Sequence, residues 1–471
     1  MSRGPCWVAE PVGSLRYAER RAAACMRRSP AALWLRMGDR PVTKGKRFFR
    51  LAGMTASVAS SYAASRIKSV FQSAEDAAAS KIASYERSGE LIAKTLGELK
   101  GAVMKVGQMA SIASDILPRE IAEPLKALQR EAPPMAFSVI AEQIERELGS
   151  PPELLFKSFD REPFAAASIG QVHRAVTDDG REVVVKVQYP GVDDAVDSDL
   201  AHLKLVLRAS GLVRVKKQAL DALFAEIKTR LHEELDYCNE ADNVRLFRDY
   251  HRERHPFLVI PEVVGERSSA RVLTLTYEPG DHLDGLDHRY TQEVRDELGA
   301  NVFTMFSAQL FDLQAIHADP NPGNIAFRPD GRVVLYDYGC IKRVDDGVLD
   351  AYKATIRAGI DEDYPALERG LLDLGVRNPA GPAIEPDYYK PWRDAFALPF
   401  VTDQAFDYGA STIHDDVLRL VPGALKRMAS FQPPVELVFI NRMIAGHYGN
   451  LRKLQVRGRF LPLVEPYIDG A

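Results

Sequence analysis

The stretch His317-Ala318-Asp319-Pro320-Asn321-Pro322-Gly323-Asn324, followed by Asp337-Tyr338-Gly339, decides how this chain is read. Asp319 and Asn324 stand five residues apart, and Asn324 and Asp337 thirteen apart. Between them, Ile325-Ala326-Phe327, the turn residues Arg328-Pro329-Asp330-Gly331 and the run Val333-Val334-Leu335-Tyr336 predict a hairpin. A two-stranded hairpin sets Asn324 and Asp337 side by side although they are distant in sequence. Asp319 is then the carboxylate that meets an attacking hydroxyl or water. The Asn324 amide and the Asp337 carboxylate suit Mg²⁺ carried on nucleotide phosphates. This spacing predicts a chain that handles ATP.

The rest of the composition sets bounds. A chain of 471 residues, 46% hydrophobic and 27% charged, can bury a large core in two to four domains. Its formal net charge of -4 argues against a whole-protein attraction to nucleic acid. The four cysteines, Cys6, Cys25, Cys238 and Cys340, show no metal-ligand spacing, so no zinc site is indicated. Residues 1–50 carry twelve Lys and Arg against Glu10, Glu19 and Asp39, the composition of a transit peptide or of a basic, disordered arm over 1–43. No run reaches the roughly 18 apolar residues of a membrane-spanning helix; the nearest, Leu51 to Ala64, is diluted by Ser, Thr and Gly.

Periodicity divides the remainder of the chain. Residues 44–155 read as a helical extension, with Ile92, Leu96, Leu99, Val103, Val106 and Ile112 on one apolar face. A last helix of that extension is predicted over Ser138–Leu148. Residues 156–280 read as a small sheet with inserted helices. Val172–Thr177 and Glu182–Gln188 are strands joined by a turn at Asp178-Asp179-Gly180, and Val272–Tyr277 is a third. Residues 193–250 are helical throughout, and residues 281–471 form a mainly helical lobe around the 325–336 hairpin.

Three further clusters carry chemistry. Lys186 sits in Val183-Val184-Val185-Lys186-Val187, where a buried ammonium needs an anionic partner. One hairpin earlier, Ala165-Ala166-Ala167-Ser168-Ile169-Gly170-Gln171 predicts a small-residue turn covering nucleotide phosphates, stiffer than a glycine-rich loop. Downstream, Glu234, Asp236 and Glu240 form an acidic cluster, and Glu240 is the candidate partner of Lys186. On a continuous helix, Glu234 and Asp236 cannot both share a face with Glu240. In the helical extension, Lys105 and Gln108 share a face across Gly107 and would by themselves read as surface polar groups.

These clusters together resemble the UbiB/AarF/ADCK family of atypical, protein-kinase-like kinases. The matching pieces are Lys105-x-Gly107-Gln108, the alanine-rich loop at 165–168, Lys186, Glu234-x-Asp236 with Glu240, the 317–324 loop and Asp337-x-Gly339, all in the family's order. The resemblance implies an α+β, bilobal kinase-like fold with a helical N-terminal extension. It implies that Lys105, Gly107 and Gln108 occlude the protein-substrate side and meet Glu234 and Asp236, and that Lys186 pairs with Glu240. It makes Asp319 the catalytic carboxylate, Asn324 and Asp337 the Mg²⁺ ligands, and Tyr277 and Glu278 part of an adenine-contacting hinge. The family's usual phenylalanine after the metal-binding aspartate is Tyr338 here.

The implied function is ATP- and Mg²⁺-dependent phosphoryl transfer or ATP hydrolysis, supporting ubiquinone (coenzyme Q) biosynthesis or isoprenoid-lipid homeostasis. Implied partners are an isoprenoid lipid or quinone precursor and an anionic membrane surface. The setting would be cytoplasmic, peripheral at the inner membrane face, or mitochondrial in a eukaryote. A competing reading is a nucleotide-gated, pseudokinase-like binding module, against which the intact Asp319 argues. An ordinary protein kinase is disfavoured by the lack of Ala-Pro-Glu in 340–471 and by the 54 residues separating Lys186 from Glu240.

Overall fold

The computed structural model describes residues 134–469, apart from 167–168, 210–216, 403 and 433–434, together with a few separate positions between 53 and 91. The chain divides into two compact units. The first comprises Met1–Asn239 and Val263–Tyr277, and the second Glu240–Glu262 and Glu278–Ala471.

In the first unit, helix α1 (Phe137–Leu148) buries Val139, Ile140, Gln143 and Ile144 on one face and stops at Gly149, whose φ of 79° an L side chain would resist. The short helix α2 (Pro152–Leu155) leads into an antiparallel sheet. Its strands are β1 (Ser158–Phe159), β2 (Ala165–Ala166), β3 (Gly170–Val176) and β4 (Glu182–Gln188). Strand β4 alternates: Val183, Val185 and Val187 are buried, while Val184 and Lys186 lie half-buried on the other face. Helices α3 (Val192–Ala209) and α4 (Lys217–Glu234) cover the core with buried rows at helical spacing, Val196, Leu200 and Leu203 on α3 and Leu220, Phe224, Ile227 and Leu231 on α4.

Helix α5 (Tyr237–Arg254) is separate from α4. The sequence predicts unbroken helix through this point, but Leu235 and Asp236 interrupt it. The Asp236 carboxylate turns back to accept the backbone N–H of Cys238 at 3.0 Å, as a helix-capping aspartate does. Strand β5 (Leu258–Val259) belongs to the second unit, and β6 (Val272–Thr276) completes the first unit's sheet. The order is β1-β3-β4-β6, with β2 paired to β3. Lys186 thus lies between Val172 on β3 and Leu273 on β6.

The second unit is built around α7 (Gln292–Phe311), which follows the short α6 (Leu286–Arg289). Along α7, Leu298, Val302, Met305, Ala308 and Leu310 are all buried, so it is an interior helix rather than an amphipathic one. Thr291 caps it by accepting the Val294 N–H. Three short strands follow: β7 (Ala315–His317), then the expected hairpin of β8 (Ile325–Phe327) and β9 (Val333–Leu335). The hairpin closes through Arg328 to Gly331, where Gly331 takes a φ of 80°. Strand β5 adds to β9 in parallel, and β10 (Ile341–Arg343) pairs antiparallel with β7, placing His317 opposite Ile341. Helices α8 (Asp346–Ile360), α9 (Tyr364–Asp373), α10 (Pro386–Val401), α11 (Ile413–Leu425), α12 (Val435–Leu454) and α13 (Leu461–Ile468) complete the unit, with β11 (Phe406–Asp407) and β12 (Arg457–Gly458) paired between them. No described helix is long and apolar enough to cross a membrane.

Several histidines are buried in these packings. His447 on α12 stacks on Phe306 of α7, and His251 lies against His255, with their Nδ1 atoms 3.0 Å apart. Burial holds both His447 and His251 far below the ordinary imidazole value, at about 3, and holds His173 down as well. The unfolded chain therefore binds more protons below about pH 6.5 than the folded one. Stability from these groups is complete above that pH and is lost as pH falls, at about 1.4 kcal/mol per pH unit for each of His447 and His251. The melting temperature should be level above about pH 7 and drop between about pH 6.5 and 5. A melting temperature indifferent to acidification over that window would contradict neutral, buried histidines.

Candidate phosphoryl-transfer site

The first unit carries a lysine on a strand, with β2 and β3 ahead of it. Lys186 projects from the half-buried face of β4, and its Nζ lies 5.1 Å from the centre of the Tyr237 ring, within range of a cation–π contact. Ala165 and Ala166 are extended rather than helical, pairing with Val172 and Gln171. Alanine's helix preference is overridden here by ladder hydrogen bonds to β3. Gly170 is required by close approach: a Cβ there would run into the Val187 carbonyl oxygen and sit 3.1 Å from the Tyr237 hydroxyl.

Gln171 plays a part that the sequence did not suggest. Its side chain is fully buried and faces the start of α1: Oε1 accepts the Met135 N–H at 2.8 Å and Nε2 donates to the Met135 carbonyl at 3.3 Å. The remaining N–H of the amide points at His173 Nε2, 2.9 Å away. His173 Nδ1 lies 2.8 Å from the Asp160 carbonyl, which can only accept, so Nδ1 carries the proton and Nε2 accepts. Every polar atom of this pair is satisfied, which fixes β3 to the segment entering α1. Phe164 and Arg174 carry no motif that would single them out in the sequence. The Arg174 guanidinium stands 4.0 Å from the Tyr277 ring centre and 4.7 Å from that of Phe164. The backbone of Tyr277 is tied to β4 through its N–H to the Glu182 carbonyl.

The second unit carries the carboxylates. His317, at the end of β7, sits with Nε2 2.6 Å from the Asp337 carbonyl and 3.1 Å from that of Tyr336. Both partners are acceptors, so Nε2–H donates. Asp337 has a φ of 53°, a left-handed conformation that aspartate tolerates better than most residues. The His317 bond holds its carbonyl in that conformation. The Asp337 carboxylate accepts the Gly339 N–H at 3.1 Å. Tyr338 is wholly buried: its ring meets Phe247 and His317 edge to face, its hydroxyl donates to Leu335, and its carbonyl accepts from Asn243. Glu240, on α5, reaches the same turn, with Oε2 3.7 Å from where a Cβ on Gly339 would stand.

The 317–324 loop is bonded internally. Asn324 Nδ2 donates to Asp319 Oδ2 at 2.9 Å and to the Asp319 carbonyl at 3.2 Å, and the Asn324 carbonyl accepts the Tyr336 N–H. Because its nitrogen faces Asp319, the Asn324 amide presents its oxygen to the other side. An amide oxygen and a carboxylate are the hard donors that Mg²⁺ takes when substrate phosphates complete its shell. The residues present fit that ion. No cluster of three or more His, Cys, Asp or Glu side chains suited to a metal occurs among the described residues. Glu278 does not stand alone: its carboxylate pairs with Arg328 at 2.9 Å and its carbonyl accepts the Tyr336 hydroxyl at 2.6 Å. Asp319 has a partner that motif spacing could not reveal, Arg442 of α12, whose guanidinium lies 2.6 Å from Oδ1.

Of the remaining expected residues, Glu234 ends α4 and Asp236 caps α5. Lys105, Gly107, Gln108, Ala167 and Ser168 lie outside the described residues.

Comparison with known proteins agrees with this geometry. The ABC1 atypical kinase-like domain matches residues 127–370, just over half of the chain. The chain belongs to the ABC1 atypical kinase family. It is 33% identical over 288 residues to protein ACTIVITY OF BC1 COMPLEX KINASE 7, chloroplastic, of Arabidopsis thaliana, covering 60% of this chain and 41% of that one. It is 29% identical over 395 residues to atypical kinase coq-8, mitochondrial, of Caenorhabditis elegans, covering 82% and 52%. The chain thus spans about half the length of these two ABC1 relatives. The structure of Rv3197 from Mycobacterium tuberculosis, solved in complex with erythromycin, superimposes with a TM-score of 0.61 at 29% identity, covering 79% of this chain and 93% of that one. The kinase-like fold expected from the sequence is therefore shown, and relatives within the family are named as atypical kinases.

Substituting Gly170→Ala should destabilise the protein by about 1–3 kcal/mol, because β3 and β4 must part to admit the methyl group. Urea unfolding measures this. An unchanged midpoint would show that the close approach at Val187 does not exist in solution.

Proposed function

We propose that this chain is an ATP-binding, Mg²⁺-dependent atypical kinase or ATPase acting in ubiquinone or isoprenoid-lipid metabolism at a membrane surface. The observation that carries the proposal is the bonded unit of Asp319, Asn324, Asp337 and His317. The supporting bonds run from Asn324 to the Asp319 carboxylate and from His317 to the backbone carbonyl of Asp337. In this reading Asp319 meets the attacking oxygen, and Asn324 and Asp337 supply oxygen donors to a metal.

Each residue has a share in the chemistry. Asn324 and Asp337 would hold Mg²⁺, which supplies neutralisation of phosphate charge when bound. Asp319 orients the attacking hydroxyl or water and accepts its proton. Gly170, Ala165 and Ala166 form the hairpin that covers phosphate, with Ala167 and Ser168 assigned to the same loop by sequence. Lys186 is assigned to the inner phosphates, with Glu240 as its counter-charge, and Tyr277 and Glu278 to the adenine side. Gln171 supports the loop by anchoring β3 to Met135. Lys105, Gly107 and Gln108, with Glu234 and Asp236, are assigned to occlude the protein-substrate side, which favours a small-molecule acceptor or water. The tie to ubiquinone rests on the resemblance to the UbiB/AarF/ADCK family.

The test is phosphate release from Mg·ATP by the full chain, with and without anionic liposomes and a ubiquinone-precursor phenol. Turnover should rise with lipid or phenol. Asp319→Asn should reduce it by about a hundredfold or more. Asp337→Asn should abolish its dependence on Mg²⁺ together with the turnover. Turnover that survived Asp337→Asn would refute the metal assignment. Nucleotide binding without turnover under every condition would point instead to a nucleotide-gated binding module.

A further inference from the structure

The face of α12 directed at the catalytic loop is built from three residues four apart, Arg442, Gly446 and Asn450, which share one side of the helix. Each engages the loop. Arg442 pairs with Asp319 Oδ1, and Asn450 Nδ2 donates to the Pro320 carbonyl at 3.2 Å. Gly446 lets the helix backbone meet the Pro320 ring, because a Cβ there would overlap Pro320 Cγ. A glycine within a helix costs about 1 kcal/mol relative to alanine, so its presence is explained by this close approach. Asp319 is consequently held at both oxygens: Arg442 donates to Oδ1 and Asn324 to Oδ2.

The Arg442–Asp319 pair is not a core element. The Arg442 side chain is 40% exposed and that of Asp319 29%, so the ion pair adds little to stability. Its effect is geometric. A carboxylate gripped by one amide can still rotate about its own axis. A second donor on the other oxygen fixes that rotation and leaves each oxygen lone pairs for an incoming hydroxyl. Misplacing a reacting group by about 1 Å can cost about a hundredfold in rate.

We propose that Arg442 is a positioning residue for phosphoryl transfer, fixing the orientation of the Asp319 carboxylate from the α12 face. This rests on the reading of Asp319 as the carboxylate that meets the attacking oxygen. Arg442 contributes no proton and touches no phosphate in this role. It acts only through Asp319, so its loss is expected in the rate of turnover rather than in nucleotide affinity.

The experiment compares the full-length wild type with Arg442→Ala, Arg442→Lys and Asp319→Asn, following phosphate release from Mg·ATP and Mg·ATP binding by calorimetry. Arg442→Ala should lower kcat by about ten- to a hundredfold with the affinity for Mg·ATP unchanged. Arg442→Lys should recover part of the rate, because it keeps the charge but loses the fork. Millimolar guanidinium should restore turnover to Arg442→Ala and not to Asp319→Asn. A kcat for Arg442→Ala equal to or above that of the wild type overturns the inference while leaving the kinase reading intact. If Arg442→Ala does not fold, full activity in Arg442→Lys with no response to its altered geometry overturns it equally. A wild type that neither binds nor turns over Mg·ATP overturns the proposed function and this inference with it.

Discussion

The hydrogen bond from His317 Nε2 to the carbonyl of Asp337 is the constraint on which the rest of the second unit's chemistry depends. It crosses from the end of β7 to a residue held at positive φ, and it fixes the tautomer of a buried histidine. Through it, the loop that carries Asp319 and the turn that carries Asp337 become one body. The β8–β9 hairpin closes the same body from the other side, since Tyr336 donates its N–H to Asn324 and its hydroxyl to Glu278. Three acidic or amide side chains are thus placed by backbone bonds that none of them makes alone. Buried bonds of this kind are costly to leave unmade, so the arrangement resists partial loss.

The packing around that body satisfies the polar group that Tyr338 buries in the turn. The hydroxyl of Tyr338, which a phenylalanine would lack, donates to the Leu335 carbonyl. Without that acceptor, a buried phenol would cost free energy. With it, the tyrosine keeps the edge-to-face contacts with Phe247 and His317. In the first unit, Gln171 and His173 solve a similar problem by satisfying one another and two backbone segments. Each device trades a generic apolar contact for a directional one, which determines orientation more than stability.

Much of this was legible in the sequence because short-range spacing carries it. Thirteen residues from Asn324 to Asp337, with a Pro-Asp-Gly turn between, suffice to specify the hairpin. The valines flanking Lys186 mark a strand, and its register follows from the turn before it. What remained hidden depends on contacts distant in sequence or on elements too short to show a period. Arg442 meets Asp319 across more than a hundred residues, and α12 offers no motif that announces it. Strands β5, β7 and β10 are two or three residues long, below the length at which alternation can be read. The break at Leu235 and Asp236 was masked because both flanking segments are helical and Asp236 reads equally well as an exposed helical acid. Ala165 and Ala166 are extended only because β3 pairs with them.

The central claim is that His317 holds Asp337 in the conformation in which, under the proposed function, its carboxylate would take up the metal of Mg·ATP. The direct measurement is the affinity of His317→Phe for ATP with and without Mg²⁺, compared with the wild type by calorimetry. Losing the bond that orients a metal ligand should weaken Mg·ATP binding by about tenfold or more while leaving metal-free ATP binding unchanged. Equal affinity for Mg·ATP in both proteins would contradict the account.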